Sequence, residues 1–333
     1  MTIAENGAGT VGLAVKDLTT EIRSRGTWYQ AVRGVTFDVH QGETVALVGE
    51  SGCGKSLTAL SIMGLLPRGV GRVASGNIVI DGEAVDGASD TQMEKIRGNR
   101  IGMVFQEPMT SLNPVLTVGF QIAEPLMYHR GLSRRDAEAK AIELMELVRI
   151  PSAAERVGAY PHQFSGGMRQ RVMIAIALAC QPKVLIADEP TTALDVTIQA
   201  QVLALLAGLQ KSAGLAVLLI THNLGVVASV ADRVLVMYGG DVVENATVRD
   251  LFQRPTHPYT SALLAAMPRA DRSSDTVAAI PGQVPTLPDM PTGCRFQSRC
   301  PLRQARCTEL PPLAAIDPAG AHLVRCWVAG RSS

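Results

Sequence analysis

The amino-acid sequence predicts an α/β fold built around a mostly parallel sheet. In its second half, apolar strand patterns at residues 184–187 and 216–220 alternate with helical patterns, one of which covers residues 196–210. Such alternation is typical of parallel sheets whose faces are covered by helices. The second observation is an apolar run at residues 44–48 that meets a glycine-rich loop, followed by a helical pattern at residues 56–66. This strand, loop and helix unit is the first firm landmark of the fold.

The remaining elements are predicted from shorter patterns. Near the start of the chain, residues 12–15 and 31–39 read as strands separated by a polar loop that contains Trp28 and Tyr29. Three more strands are expected at residues 76–81, 100–106 and 233–237. A helical insert is expected at residues 118–148. After about Leu264 prolines become frequent, beginning at Pro268, which predicts a linker and a small separate lobe.

Length and composition limit the classes of protein. A chain of 333 residues has room for one large α/β domain and an extension. Hydrophobic residues make up 47% and charged residues 18%, with a net charge of +1, which favours a globular chain over a disordered one or an electrostatic nucleic-acid binder. The longest apolar runs, at 172–180 and 215–220, are far shorter than the roughly 20 residues that cross a bilayer. The N-terminus lacks the pattern of a secretory signal, so we expect a cytosolic chain.

The glycine-rich loop completes the pattern G-x-x-x-x-G-K-S. Its members are Gly49, Glu50, Ser51, Gly52, Cys53, Gly54, Lys55 and Ser56. Because the motif lies between a predicted strand and a predicted helix, it has the context that a P-loop requires. Backbone amides at the helix start would gather phosphate oxygens, Lys55 would reach the β and γ phosphates, and Ser56 would offer its hydroxyl to Mg²⁺. The sequence therefore predicts a P-loop NTPase with a site for ATP.

A pair of adjacent carboxylates follows the predicted strand at 184–187. Asp188 and Glu189 would lie at the carboxyl end of that strand, where doubly wound sheets bind ligands. We expect Asp188 to hold Mg²⁺ through water and Glu189 to polarise the attacking water. The alternative is an acidic pair in a solvated loop, and the P-loop upstream favours the catalytic interpretation.

Between these two motifs, Phe164–Gln170 reads F-S-G-G-M-R-Q, which resembles the signature sequence of ATP-binding-cassette (ABC) ATPases. Met168 departs from the glutamine that many relatives carry, whereas Ser165, Gly166 and Gly167 agree with the family. The likeness covers residues from about 12 to 265. Gln106 resembles the Q-loop glutamine, and Ala193 to Asp195 resemble the D-loop. His222 is similar to the switch histidine. The adenine-stacking aromatic would be Tyr29, with Trp28 as the alternative.

The resemblance implies an ABC nucleotide-binding domain over residues 1–265, with a RecA-like core, an antiparallel β subdomain and a helical subdomain at about 107–180. It also implies a head-to-tail dimer in which Ser165, Gly166 and Gly167 of one subunit close over ATP on the P-loop of the other. In that arrangement Mg²⁺ is held by Ser56, Gln106 and Asp188, and Glu189 is assisted by His222 and Gln106. The segment from Gln106 to Gln121, with the helical insert behind it, would couple the ATPase to a membrane partner.

Four cysteines in the region 266–333 form the spacing C-x5-C-x6-C-x18-C, and they are Cys294, Cys300, Cys307 and Cys326. In a cytosolic chain they are candidates for a [4Fe-4S] cluster, for Zn²⁺, or for metal-free thiols that are reduced or paired as disulfides. The wide spacing favours iron and sulfur over zinc. Five arginines around them would offset thiolate charge or form an exposed rim: Arg295, Arg299, Arg303, Arg306 and Arg325. Cys53 and Cys180 are expected to be packing residues.

The same C-terminal region, together with THPYTSALLAAMP at 256–268 and SLNPVLTVG at 111–119, resembles the ATPases of oligopeptide and dipeptide importers, some of which carry an iron-sulfur cluster. This implies an ATP-hydrolysing subunit at the cytoplasmic face of the inner membrane, peripheral to two permease subunits and fed by an extracytoplasmic binding protein. A heterodimer with a second ABC ATPase is favoured, and no nucleic-acid partner is expected. Dipeptides, oligopeptides and nickel remain open as cargo. The alternatives are a soluble ABC ATPase acting on ribosomes or DNA repair, and an ATP-holding regulatory module.

Overall fold

A computed structural model describes residues 9–192, 194–267 and 280–329 of the chain. Ala193 of the expected D-loop and the linker that begins at Pro268 lie outside the described residues. The chain divides into two compact units. The first contains the chain up to Ala14, Asp38–Thr44 and Val79–Ile220, and the second contains Val15–Phe37, Val45–Ile78 and the chain from Thr221 onward.

The described residues form twelve strands and eleven α-helices. The strands are β1 Val11–Ser24, β2 Thr27–His40, β3 Thr44–Val48, β4 Gly71–Ile80, β5 Glu83–Ala84, β6 Ile101–Val104, β7 Val184–Asp188, β8 Ala216–Thr221, β9 Arg233–Tyr238, β10 Asp241–Thr247, β11 Ala314–Ala315 and β12 Leu323–Val324. The helices are α1 Lys55–Ile62, α2 Asp90–Ile96, α3 Pro108–Ser111, α4 Val118–Arg130, α5 Arg134–Leu147, α6 Ala153–Arg156, α7 Gly166–Leu178, α8 Val196–Ala213, α9 Leu224–Val230, α10 Val248–Gln253 and α11 Pro258–Ala265.

Parallel strands form the centre of the first unit, where β7 lies between β8 and β6. Val184 of β7 pairs with Ala216 of β8 and with Ile101 of β6, so the three strands run in register. Every residue of β6 and β7 is buried, as continuous apolar runs in a parallel sheet require. Helix α7 packs against β6 and against α4, α5 and α8. This arrangement confirms the predicted parallel strands of the first unit.

The second unit contains a mixed sheet in which the strand order is β11, β12, β10, β9 and β3. Strands β3 and β9 are parallel, with Leu47 opposite Leu235, whereas β9 and β10 are antiparallel. Next to these strands, the aromatic rings of Tyr238, Tyr259 and Phe296 pack with aliphatic side chains into one buried cluster. Strands β2, β1 and β4, most of whose residues belong to this unit, are neighbours in that order.

Two predicted elements differ from the structure. The polar loop expected around Trp28 and Tyr29 is wrong, because both residues belong to strand β2. Strands β1 and β2 are instead joined by a two-residue turn in which Arg25 and Gly26 both have positive φ, the geometry that tight hairpins favour. The helical insert is two helices, since Gly131 ends α4 in a left-handed conformation and the Ser133 side chain caps α5.

The C-terminal extension is attached to the second unit by buried side chains. The Glu244 carboxylate of β10 accepts hydrogen bonds from the backbone amides of Thr256 (2.9 Å) and His257 (2.8 Å). The same carboxylate lies 2.7 Å from Nε2 of His322, and Leu323 beside it pairs with Asn245. The contacts of His322 and Leu323 join the extension to the sheet, and the domain boundary at about residue 265 stays a prediction. No helix of the described residues has the length and apolar character needed to cross a membrane.

Candidate functional site

The phosphate loop lies in the second unit between β3 and α1. Within the described chain no side chain caps the start of α1, where Gly54 stands at the N-cap with φ 109°. The amides at the helix start are therefore suited to bind an external anion. Ser56 follows in the first turn and is half-buried, whereas Ser51 and Gly52 are exposed. The loop thus has the geometry predicted for a P-loop.

The ammonium group of Lys55 lies inside this loop. Lys55 is only 5% exposed, and its Nζ donates hydrogen bonds to the carbonyl oxygens of Gly49 (2.8 Å) and Glu50 (3.1 Å). A Cβ on Gly49 would lie 2.2 Å from the carbonyl oxygen of Met237 and 2.7 Å from Sγ of Cys53, so only glycine fits there. Burial raises the pKa of the Cys53 thiol, which agrees with its expected packing role. Amides, a glycine contact and an enclosed lysine together form a cradle that fits a nucleotide's phosphates.

Two aromatic side chains near this loop were candidates for stacking on adenine. Both Trp28 and Tyr29 are half-buried on strand β2. The guanidinium carbon of Arg72 lies 4.4 Å from the centre of the Trp28 ring, in a cation–π contact. Trp28 is thus engaged by Arg72, and Tyr29 stays the predicted aromatic for a base.

The acidic pair ends strand β7 in the first unit. Asp188 is 5% exposed, and Glu189 follows it with φ 46°, a left-handed conformation that is uncommon for a residue with a side chain. The Glu189 amide donates a 2.9 Å hydrogen bond to the carbonyl oxygen of Ile220 on the neighbouring strand. Strain of this kind often occurs at functional positions, where surrounding contacts maintain it.

The Glu189 carboxylate is held by two side chains. Nε2 of Gln106 donates to Oε2 of Glu189 over 3.0 Å, and Oγ1 of Thr192 donates to the same oxygen over 2.9 Å. The structure therefore brings together the Q-loop glutamine and the catalytic-base candidate, which are 83 positions apart in sequence. Thr192 was missed by the sequence analysis, although its place three residues after a glutamate at a strand end was a usable signal.

The signature motif begins helix α7 of the first unit. Ser165 is the N-cap, and its side-chain oxygen accepts a 3.4 Å hydrogen bond from the Met168 amide. A Cβ on Gly167 would lie 2.5 Å from Cγ2 of Ile198 on α8, so the glycine permits close packing of the two helices. Ser165 and Gly166 are exposed and Gly167 is half-buried, so the motif is accessible at a helix N-terminus.

His222 follows strand β8 and is exposed. The turn around it is fixed by neighbours, since the Asn223 amide donates to Oγ1 of Thr221 (3.0 Å). Oδ1 of Asn223 in turn accepts from the amide of Gly225 (2.9 Å) and so caps helix α9. Of the expected D-loop, the described Asp195 caps α8 by accepting from the Ile198 amide.

The segment after Gln106 presents apolar side chains to solvent. Met109 is 64% exposed and Val115 is 76% exposed. The Gln121 side chain holds the segment by accepting from the Asn113 amide (2.9 Å) and donating to the carbonyl oxygens of Asn113 and Leu116 (3.0 Å each). A fixed segment with exposed apolar groups has the character of a protein-binding surface.

The four cysteines of the extension are free thiols in the second unit. Burial raises the pKa of Cys294 to about 11, and the nearby Cys307, Cys326 and Cys300 add to the rise. Burial also raises the pKa of Cys300 and of Cys326. Two members of the predicted set are neighbours, since the Cys294 amide donates a 3.0 Å hydrogen bond to the carbonyl oxygen of Cys307. Among the described residues, however, no group of three or more His, Cys, Asp or Glu side chains is arranged so that it could hold a metal ion.

The arginines near these cysteines have other partners. Nη1 and Nη2 of Arg299 lie 2.6 and 3.1 Å from the two carboxylate oxygens of Glu50 in the phosphate loop. Arg306 lies over the Trp327 ring at 3.6 Å, and Nη1 of Arg325 donates to the carbonyl oxygen of Pro311 (3.1 Å). The expectation that they offset thiolate charge therefore needs correction for Arg299, whose charge is paired with a carboxylate.

Comparison with known proteins gives two family matches. The model described as "ABC transporter" matches residues 32–192, and the model described as "Oligopeptide/dipeptide transporter, C-terminal region" matches residues 243–307. The oligopeptide transport ATP-binding protein AppD of Bacillus subtilis is 52% identical over 316 residues, covering 95% of this chain and 96% of that protein. The dipeptide transport ATP-binding protein DppD of the same organism is 50% identical over 316 residues, which cover 95% of this chain and 94% of DppD.

Solved structures agree with the fold. The ATP-binding cassette MJ0796, in a dimeric post-hydrolysis state bound to ADP and phosphate, is 31% identical, with a TM-score of 0.63. That match covers 71% of this chain and 99% of the cassette. The predicted α/β class with a nucleotide-binding cassette fold is confirmed by this likeness.

Proposed function

The chain belongs to the ABC transporter family, in the branch of oligopeptide and dipeptide import ATPases, and we propose that it hydrolyses ATP to power import of di- or oligopeptides through a membrane permease complex. The observation that carries the peptide assignment is that the likeness continues beyond the nucleotide-binding part, through residues 243–307. The domains are assigned as an ABC domain over residues 1–265, with its helical subdomain at about 107–180, and an extension over 266–333.

The phosphate loop, strand β2 and His222 carry the residues that we assign to the nucleotide. Tyr29 stacks on the adenine ring, and the amides from Gly49 to Ser56 receive the phosphates. Lys55 exchanges the carbonyl oxygens of Gly49 and Glu50 for phosphate oxygens, which keeps its buried ammonium group paired with acceptors. His222 contacts the terminal phosphate.

The acidic pair and its hydrogen-bond partners are assigned to the attacking water and to Mg²⁺. Glu189 orients and polarises the attacking water, and Gln106 and Thr192 keep its carboxylate in one orientation. Asp188 and Gln106, with Ser56 of the phosphate loop, are assigned to Mg²⁺, an ion that neutralises charge on phosphate oxygens. Ser165, Gly166 and Gly167 are assigned to the nucleotide of a partner ATPase subunit, because their amides start a helix and are accessible.

The partners are two permease subunits, an extracytoplasmic substrate-binding protein and a second ABC ATPase, with a heterodimer favoured. The chain would bind peripherally at the cytoplasmic face of the membrane. The exposed Met109 and Val115, held on the segment that follows Gln106, support this segment as the permease contact. Its position in sequence next to the Glu189 partner would let phosphate chemistry and permease movement influence each other.

Transport is tested by reconstituting the full chain with its permeases, partner ATPase and binding protein in vesicles. We expect ATP-dependent uptake of labelled peptide, and a loss of uptake of about 100-fold or more with Glu189→Gln, since one catalytic group is removed. Labelled dipeptide, oligopeptide and Ni²⁺ are compared in parallel. Uptake of Ni²⁺ alone, or a chain that sediments with membranes equally when the permeases are absent, would contradict the proposal.

For the four cysteines we propose a [4Fe-4S] cluster, with Zn²⁺ as the alternative. Four thiols are the donor set that either group requires, and the 3.0 Å hydrogen bond from the Cys294 amide to the Cys307 carbonyl oxygen supports the proposal for two of them. The side chains do not enclose an ion as they stand, so we assign this group no step in ATP hydrolysis. Because burial raises the pKa of the Cys294, Cys300 and Cys326 thiols, binding of a metal to them would release protons.

Metal content is measured on the full chain purified without oxygen. We expect about four iron atoms and four sulfides per chain, as a [4Fe-4S] cluster requires. A Cys300→Ser variant should lose most of this iron, whereas Cys180→Ser in the first unit should retain it. One equivalent of zinc would support the alternative, and metal-free protein with four titratable thiols in the extension would contradict both.

A further inference from the structure

One short segment of the extension contacts the phosphate loop through a partly buried ion pair, in which the Glu50 side chain is 30% exposed. The Arg299 side chain is 4% exposed and forms a two-pronged pair with Glu50, the second residue of the G-x-x-x-x-G-K-S motif. Its Nε also donates to the carbonyl oxygen of Pro281 (2.8 Å), and the guanidinium carbon lies 5.7 Å from the centre of the Tyr238 ring. A planar guanidinium held on several sides in this way has little freedom to leave its partner.

The same segment contacts the strand that carries Tyr29. Nη2 of Arg295 donates to the carbonyl oxygen of Gln30 over 2.8 Å. In the opposite direction, Arg33 of β2 donates to the carbonyl oxygens of Thr292 (2.6 Å) and Gly293 (2.9 Å). Residues 292–299 therefore contact the chain next to both the adenine candidate and the phosphate loop.

A third contact supports the backbone of the loop. The Glu50 amide donates a 2.9 Å hydrogen bond to the hydroxyl of Tyr259 on α11. Tyr259 is fully buried and packs on Phe296, whose ring centre lies 5.4 Å away. Phe296 belongs to the same segment of the extension. Arg299 therefore holds the Glu50 side chain and Tyr259 its backbone, and both residues lie beyond the ABC transporter match at 32–192.

We propose that residues 292–299 brace the nucleotide site, with Arg299 as a positioning residue that holds the phosphate loop through Glu50, so that ATP affinity depends on the extension. This inference rests on the nucleotide site proposed above. A phosphate cradle made of amides binds best when its conformation is fixed before the ligand arrives, and loss of the ion pair would add motion to the loop. It would also leave the Glu50 carboxylate uncompensated near incoming phosphates.

The brace also connects the cysteines to the nucleotide. Arg299 precedes Cys300 directly, and Cys294 lies between Gly293 and Arg295. A ligand that orders these cysteines would therefore also order the residues that hold the phosphate loop. Because the coupling free energy between two sites is reciprocal, bound ATP would stabilise the ordered extension by the same factor.

The test measures Mg-ATP affinity of the full chain by displacement of a fluorescent ATP analogue. Arg299→Gln is expected to weaken affinity about tenfold, because a partly buried bidentate charge pair is broken. Arg299→Lys, which keeps the charge without the planar fork, should recover part of the loss. In a double-mutant cycle, adding Glu50→Gln to Arg299→Gln should cost much less than Glu50→Gln alone, since the two side chains form one interaction.

Arg303→Gln is the matched control, because Arg303 is an exposed arginine of the same extension. Its affinity should stay within about twofold of the original chain, as surface changes usually do. Thermal unfolding of each variant shows whether it is folded at the temperature of the affinity measurement. Equal affinity of Arg299→Gln and the original chain, or additive effects in the cycle, would overturn the brace. If the original chain itself binds no ATP, the proposed function fails instead.

Discussion

Replacing Lys55 by alanine is expected to abolish ATP turnover and to weaken ATP binding strongly. The ammonium group is enclosed by the phosphate loop, 2.8 Å from the carbonyl oxygen of Gly49, so water has little access to replace it. Removal of one preorganised charge at a phosphate costs about 100- to 1,000-fold in rate by analogy with lost oxyanion donors. Phosphate release and displacement of a fluorescent ATP analogue measure the two effects separately.

Lys211 provides the control for this change. It lies exposed in the last turn of α8, and Lys211→Ala should leave both measurements unchanged. A further variant, Lys55→Arg, keeps the positive charge but is too large for a loop closed around Lys55, so its activity should remain low. If Lys55→Ala retained the affinity and turnover of the original chain, the assignment of this loop to phosphate would be wrong.

The phosphate loop and the acidic pair were predictable because each is contiguous in sequence. Gly49 to Ser56 must follow a strand and begin a helix, and the local pattern alone contains that order. Asp188 ends strand β7 after four apolar residues, and Glu189 follows it directly. Chemistry that is carried by neighbours in the chain needs no knowledge of tertiary contacts, and both motifs lie where the sequence placed them.

Contacts between distant residues could not be predicted in the same way. The Arg299–Glu50 pair joins positions 249 apart, and both residues read in isolation as ordinary charged groups of a loop. The sequence analysis assigned Arg299 to the cysteines because they are neighbours in the chain. The choice between those partners depends on how the extension packs, which hydropathy and spacing do not encode.

Strand β10 was missed for a related reason. Its sequence contains Asp241, Glu244 and Asn245, all of which are buried, so its polar pattern did not resemble a strand. Asp241 is paired with Arg33, and Glu244 accepts hydrogen bonds from the amides of Thr256 and His257, so both buried carboxylates have partners. A strand whose buried carboxylates are paired with residues distant in sequence can be recognised only when those partners are known.

Glu189→Gln is expected to separate ATP binding from hydrolysis. Glutamine has nearly the same shape, and its amide oxygen can accept the hydrogen bonds that Gln106 and Thr192 donate to the carboxylate. It cannot take a proton from water, so the turnover rate should fall about 100- to 10,000-fold while ATP affinity stays within about threefold. Single-turnover hydrolysis and nucleotide titration on the same preparation give both values.

Two further variants determine whether the effect belongs to this carboxylate. Thr192→Val removes one of the two hydrogen bonds that orient Glu189. A rate loss of about 10- to 100-fold is expected, since a net hydrogen bond to a charged group contributes about 1.5–3 kcal/mol. Glu143→Gln changes an exposed glutamate of α5 and should have no effect on turnover. A chain with Glu189→Gln that still hydrolysed ATP at the original rate would exclude Glu189 as the base. Equal loss of binding and turnover would instead indicate that this carboxylate shapes the site rather than activating water.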